Sequence, residues 1–196
     1  MKSLKNGNNL FPVFFKLEQL HLLIVGGGNV GLEKLTSVLT NSPSTSIRLV
    51  AKEISDEVRD FVKDHPNVKL IEREFRPYDL EDIELVIVGI DDTRTSELIR
   101  DMAKVRGLLV NVADKPELCD FYLGSVVKKG DLKIAISTNG KSPTVAKRIK
   151  EYLNESIPES IDEVLQNMNK IREKLHGNFD FKVRTLNSIT KDWLKK

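Results

Sequence analysis

Three stretches of this sequence hold residues whose types and spacing could do chemistry. In the first, His21–Gly31, four apolar residues run straight into Gly26, Gly27 and Gly28, with Gly31 three positions on. The spacing Gly26-x-Gly28-x-x-Gly31 fits a dinucleotide fingerprint when a strand precedes it and a helix follows. Gly26 permits the tight turn, Gly28 lets backbone N–H groups approach a pyrophosphate, and Gly31 brings the helix close to the sheet. The anion then sits at a helix N-terminus, where unpaired N–H groups and the dipole favour negative charge. The second stretch is Asn111–Pro116, which puts the Asp114 carboxylate just past an apolar strand; Asp-Lys-Pro equally suits a plain turn. The third is Ser137-Thr138-Asn139-Gly140-Lys141-Ser142, between a strand and a helix start. Its hydroxyls, backbone N–H groups and one cation suit an anion site or a capped loop that binds nothing.

Other candidates are weaker. Asp91 and Asp92 follow a strand directly, and read as a helix N-cap whose backbone lines the ligand edge of the sheet. His21, His65 and His176 are scattered without partners at ligand spacing, so no metal site is expected. Cys119 reads as a small apolar filler with no histidine nearby to activate it.

The elements that must position these groups alternate. Strands are expected at His21–Val25, Ile47–Ala51, Val68–Ile71, Leu85–Ile90 and Leu108–Val112, with helices from Asn29 to about Thr40, from Ser55 to Pro66 and over Thr95–Val105. The apolar run Leu10–Leu17 is expected to cover the first strand as an edge segment. Leu85–Ile90 is apolar almost throughout, as a parallel strand buried on both faces must be. The pattern is α/β, a doubly wound parallel sheet of Rossmann type. At the tip of the second strand, Glu53 could bond an adenosine ribose, or Lys52 could meet a 2′-phosphate; the residues leave both open.

Beyond residue 113 the pattern changes. Phe121–Lys128 and Leu132–Ser137 flank Lys129-Gly130-Asp131 as a β-hairpin. Ser142-Pro143 opens a helix to about Asn154, and Pro158 breaks it. Two amphipathic stripes follow, Ile161 to Leu175 and Val183, Leu186, Ile189, Trp193; both read as core or subunit-packing faces.

Bulk properties exclude several classes. The 196 residues are 40% hydrophobic and 31% charged, with a net charge of +2. That balance makes no case for nucleic acid. One cysteine excludes a disulfide framework and suits a reducing compartment. The start MKSLKNGNNLF lacks the apolar core of a signal peptide, and no apolar run nears the roughly 20 residues of a membrane span. A cytoplasmic protein without membrane or nucleic-acid partners is expected.

Three longer stretches, FPVFFKL…LLIVGGGNVG, NVADKPELCDF and KKGDLKIAISTNGKSPTVAKRIKEYL, carry a family resemblance over about residues 10–190. The chain resembles the precorrin-2 dehydrogenase family, whose module also forms the N-terminal part of siroheme synthases. The resemblance implies an NAD-binding Rossmann domain (residues 1–113), a small dimerisation and active-site domain with the hairpin (114–145) and a C-terminal helical domain (146–196). It implies a homodimer that oxidises precorrin-2 to sirohydrochlorin with NAD⁺, and in some members also inserts ferrous iron. The family's catalytic aspartate falls on Asp114, and its cofactor contacts fall on Asn29, Val30, Lys52 and Glu53. A serine phosphorylated in some members corresponds to Thr138, and Asn139 stands where many relatives have glycine. The substrate is a polycarboxylate, for which Ser137, Thr138, Lys141 and Ser142 are the expected contacts. Lys115, Lys128, Lys129, Lys147 and Arg148 would add a basic rim. The alternative from another class is a non-catalytic dinucleotide-sensing regulatory domain, which would need neither Asp114 nor the anion segment.

Overall fold

The structure is a computed structural model and describes residues 7–191. The chain divides into two compact units, one ending at Leu123 and the other starting at Gly124.

The first unit is built on a five-stranded parallel sheet in the order β3-β2-β1-β4-β5. Its strands are β1 (His21–Val25), β2 (Ser46–Ala51), β3 (Val68–Glu72), β4 (Leu85–Val88) and β5 (Leu109–Val112). Helices α1 (Asn29–Asn41), α2 (Asp56–Val62) and α3 (Thr93–Val105) connect them. Alternation along each strand divides the core. Leu22, Ile24, Ile47, Leu49 and Ile87 pack with Leu35, Val38 and Leu39 of α1 and Val58 of α2. Leu23, Val25, Val50, Val86 and Val88 pack with Ile99 and Ala103 of α3 on the other face. Both faces of β4, and of β1 beyond the exposed His21, are therefore buried, which is why these stretches are apolar without a break.

Four expectations are corrected. β4 ends at Val88, so Gly89 and Ile90 leave the strand; the Gly89 N–H still donates to Val25 O at 2.8 Å. α2 ends at Val62, and a short turn leads on to Pro66. Leu10, Phe11, Val13, Phe14 and Phe15 are exposed and do not cover β1; only Leu17 and Leu20, in and after a 3₁₀ turn, reach the core. Residues 121–124 lie outside the hairpin: Phe121 packs on the core of the sheet and its carbonyl accepts from Asn111 Nδ2 at 2.8 Å. Residues 114–123 accordingly belong with the sheet, past the boundary expected at 113.

A buried carboxylate closes one edge. Asp79 accepts two bonds from the Arg73 guanidinium, at 2.8 and 2.6 Å, and one from the Arg76 N–H at 2.8 Å. This clamps the 3₁₀ turn Pro77–Leu80 to the chain leaving β3.

The second unit is an antiparallel hairpin, β6 (Ser125–Lys129) and β7 (Leu132–Ile136), with helices α4 (Pro143–Ser156), α5 (Ile161–Lys174) and α6 (Phe179–Thr190). Gly130 takes φ +54° at the first position of the two-residue turn, where glycine carries no Cβ penalty. Asp162 of α5 accepts the Asp131 N–H at 2.7 Å and pins that turn. Among the described residues only Val127 and Ala146 are buried hydrophobics in this unit. Trp193, the last member of the second stripe, lies outside the described residues.

Candidate functional site

The glycine loop takes the form its spacing implies. Gly26 has φ +128°, a conformation that L side chains rarely adopt, and its N–H donates to Val50 O at 3.0 Å. A Cβ on Gly31 would overlap the Gly26 carbonyl, so only glycine allows α1 this close to the sheet. A Cβ on Gly28 would meet nothing within 4 Å. Gly28 is the N-cap of α1 and offers no side-chain cap, which leaves the N–H groups of the first turn open to an anion. Asn29 is exposed and Val30 half-buried in that turn. These features fit the pyrophosphate of a dinucleotide.

Gly27 has a role that the fingerprint does not require. A Cβ there would run into the Glu53 carbonyl and the Ala51 side chain, because the tip of β2 lies against the loop. The Ser55 N–H donates to Gly27 O at 2.9 Å and holds the two segments together. The three consecutive glycines were the available signal. Lys52 and Glu53 are thereby brought beside the glycine loop, both exposed. Lys52 pairs with Glu74 at 3.4 Å, whereas Glu53 has no side-chain ion pair among the described residues.

Beyond β4 and β5 lies a cavity of about 190 Å³, lined by Val30, Gly89, Ile90, Asp91, Ala113, Asp114 and Lys115. It sits past the carboxyl ends of the strands, where open α/β sheets bind ligands. The structure thus joins Val30 of the glycine loop and Asp114 in one niche. Asp114 has φ +59°, a left-handed conformation that aspartate tolerates better than most residues.

The turn carrying Asp114 is held by residues whose part in it their spacing does not show. Cys119 Sγ accepts the Val112 N–H at 3.2 Å and has the carbonyls of Val112 and Lys115 within 3.3 Å for its own proton. Burial pushes this thiol above its usual pKa, against the opposing Val112 N–H bond, so it is a knot in the turn as well as a filler. Asp120 accepts the Val110 N–H at 2.9 Å and pairs with Lys104 at 2.7 Å. Burial raises the Asp120 pKa, but these partners outweigh it and hold the carboxyl below its usual value. Asn111, almost fully buried, ties Phe121 to β5. No local motif marks such roles, because each partner comes from across the loop.

Asp91 and Asp92 separate. Asp92 is the N-cap of α3: its Oδ1 accepts the Thr95 N–H at 2.5 Å, and that bond holds its carboxyl below the usual range. Asp91 lines the niche through its own residue and makes no side-chain bond among the described residues.

The expected anion segment belongs to the second unit. Thr138 Oγ1 donates to Ser142 O at 3.1 Å and accepts the Ser142 N–H at 3.2 Å. Ser142 Oγ caps α4 through the Val145 N–H at 3.2 Å, and Ser137 Oγ accepts the Asn139 N–H at 3.2 Å. Much of the segment's polarity is therefore used internally. Asn139 has φ +53°, a left-handed conformation that asparagine tolerates better than most residues. The Lys141 side chain is exposed and unpaired among the described residues. Two members of the expected basic rim are neutralised: Lys129 pairs with Glu159, and Arg148 with Glu151 at 2.7 Å. Among the described residues no group of three or more His, Cys, Asp or Glu could hold a metal ion, and no helix is long and apolar enough to cross a membrane.

Comparison with known proteins places the two units. A family model described as putative NAD(P)-binding matches residues 13–125. One described as sirohaem biosynthesis protein central matches residues 129–156. The siroheme synthase of Psychrobacter cryohalolentis is 32% identical over 185 residues, covering 94% of this chain and 34% of that protein. The siroheme synthase of Nitrosomonas europaea is 29% identical over 168 residues, covering 86% and 35%. The chain thus spans about a third of the length of these curated relatives. The solved structure of SirC, a precorrin-2 dehydrogenase, superposes with a TM-score of 0.70 at 24% identity, over 92% of this chain and 89% of that one. At that identity the superposition shows a shared fold.

Proposed function

The chain belongs to the putative NAD(P)-binding family, with the sirohaem-biosynthesis central segment joined to it, and from that premise we propose that it oxidises precorrin-2 to sirohydrochlorin. The observation that carries the reading is the niche that unites Val30 of the glycine loop with Asp114. Bound NAD⁺ supplies the hydride acceptor. The open N–H groups at the start of α1 hold its pyrophosphate, Asn29 and Val30 contact it next to the glycines, and Glu53 receives the adenosine ribose. Lys52, tied to Glu74, is less suited to a 2′-phosphate, which favours NAD over NADP. Val30 and Ile90 give the niche apolar walls for the nicotinamide.

Oxidation removes a hydride and a proton from the macrocycle. Asp114 accepts the proton, as a carboxylate within about 3 Å of it can. Its turn is fixed by Cys119 and Asp120, so the acceptor is preorganised. The Lys141 ammonium, exposed and without an ion pair among the described residues, binds a substrate carboxylate. The second unit, with its hairpin, serves dimerisation; the exposed Val145, Ile149, Tyr152, Phe179 and Phe181 supply apolar surface for a second copy. The lone, reduced thiol of Cys119 suits work in the cytoplasm.

Asp114→Asn tests the reading. The variant keeps the size of the side chain and removes the proton acceptor. It is expected to bind NAD⁺ like the parent and to turn over precorrin-2 slower by about a hundredfold or more. Turnover at the parent rate would reduce Asp114 to a turn residue.

A further inference from the structure

Two carboxylates stand side by side after β4, and only one is engaged. Asp92 caps α3. Asp91 is exposed, has no side-chain hydrogen bond or ion pair among the described residues, and lines the niche with Asp114. The charged residues of that niche are Asp91, Asp114 and Lys115, two carboxylates against one ammonium; Val30, Gly89, Ile90 and Ala113 complete it without charge. The niche therefore sets two carboxylates and one ammonium beside the apolar side chains of Val30 and Ile90.

A nicotinamide ring changes charge when it reacts. It is a cation in NAD⁺ and gains two electrons and a proton, as hydride, to become neutral in NADH. We propose that Asp91 is the residue by which this site distinguishes the two forms, favouring the cationic ring and releasing it once it is neutral. The inference rests on the reading of the niche as the nicotinamide pocket. Asp114 is less suited to this task, because a residue that takes the substrate's proton loses its own charge in the same turnover. Asp91 has no part in that proton transfer. The attraction also acts in the direction that the cycle needs, since it draws in the oxidised cofactor and lets the reduced one leave.

Coulomb attraction between a carboxylate and a cationic ring at the edge of a protein, partly screened by water, corresponds to a several-fold change in affinity. The test is equilibrium titration of the full chain with NAD⁺, NADH and ADP-ribose, the last lacking the ring altogether. In Asp91→Asn, NAD⁺ is expected to bind about fivefold more weakly, while NADH and ADP-ribose stay within about twofold of the parent. Asp91→Ser, which also lacks the charge, should behave alike, and rising salt should shrink the parent's preference. Asp92→Asn is the control: it removes an equal charge one residue away and weakens the α3 cap, yet should leave the ratio of NAD⁺ to NADH affinity within about twofold. An unchanged ratio in Asp91→Asn, equal weakening of all three ligands, or an equal shift in Asp92→Asn would overturn the proposal. A chain that shows the expected ratios but fails to oxidise precorrin-2 would break the proposed reaction and leave this assignment standing. A chain that binds none of the three ligands would break both.

Discussion

The two halves of this chain bury their apolar residues very differently. In the first, β1 and β4 are closed over on both faces, and Leu22, Leu23, Ile24, Val86 and Ile87 are all but inaccessible. In the second, Val127 and Ala146 are the buried hydrophobics among the described residues, while Tyr152, Phe179 and Phe181 of α4 and α6 remain exposed. Burying one large aliphatic side chain contributes about 1.5–3 kcal/mol, so burial contributes far more to the first half than to the described residues of the second. The proposed function gives the two halves different tasks. A dinucleotide needs rigid strand ends, which a closed core gives. A surface that pairs with another copy needs apolar side chains left uncovered until the copy arrives.

The largest effect expected from a single change lies in the closed half. Asp79→Ala removes the buried partner of Arg73 and should lower stability at neutral pH by about 3 kcal/mol in urea unfolding. Its pH dependence has a definite sign. Burial raises the Asp79 pKa, but the Arg73 pair and the Arg76 N–H outweigh it and hold the carboxyl below its usual value. Its stabilisation is therefore present above the ordinary carboxylate range, near pH 4, and is lost as the pH falls through the depressed folded value. The parent should lose stability on acidification, and Asp79→Ala should lose less. An unchanged urea midpoint would mean that the first half is not held by this clamp.

Gly28→Val comes next and separates binding from folding within that half. Open space around Gly28 means that the sheet should fold as before. A β-branched side chain at the anion's approach should weaken NAD⁺ by at least about tenfold, or 1.4 kcal/mol, in calorimetry. Parent-like affinity would move the pyrophosphate elsewhere. The smallest factor is a doubling. Light scattering should give twice the 22.2 kDa chain mass at micromolar concentration. A monomer there would leave the apolar faces of the second half unexplained and end the dimer proposal.

The same contrast governs what was legible in the sequence. The glycine loop could be read because two of its glycines answer a local backbone demand, a positive φ at Gly26 and a close approach at Gly31. Strands buried on both faces announce themselves as continuous apolar runs, as β4 does. The support beneath Asp114 could not be read. Cys119, Asp120 and Asn111 act on backbone groups seven to ten positions away, and spacing carries no trace of that. Asp91 and Asp92 look alike in sequence, and only the path of α3 decides which one caps it. The run Leu10–Phe15 misled because apolar composition alone does not say whether a segment is covered or left exposed.

The most direct measurement mixes the purified chain with enzymatically generated precorrin-2 and NAD⁺ and follows the absorbance of NADH. A niche that joins the glycine loop to Asp114 and takes this cofactor and substrate should give NADH in step with sirohydrochlorin, one for one. NAD⁺ binding with no NADH formed, in the presence of intact precorrin-2, would contradict the proposed oxidation and leave a domain that only holds its nucleotide.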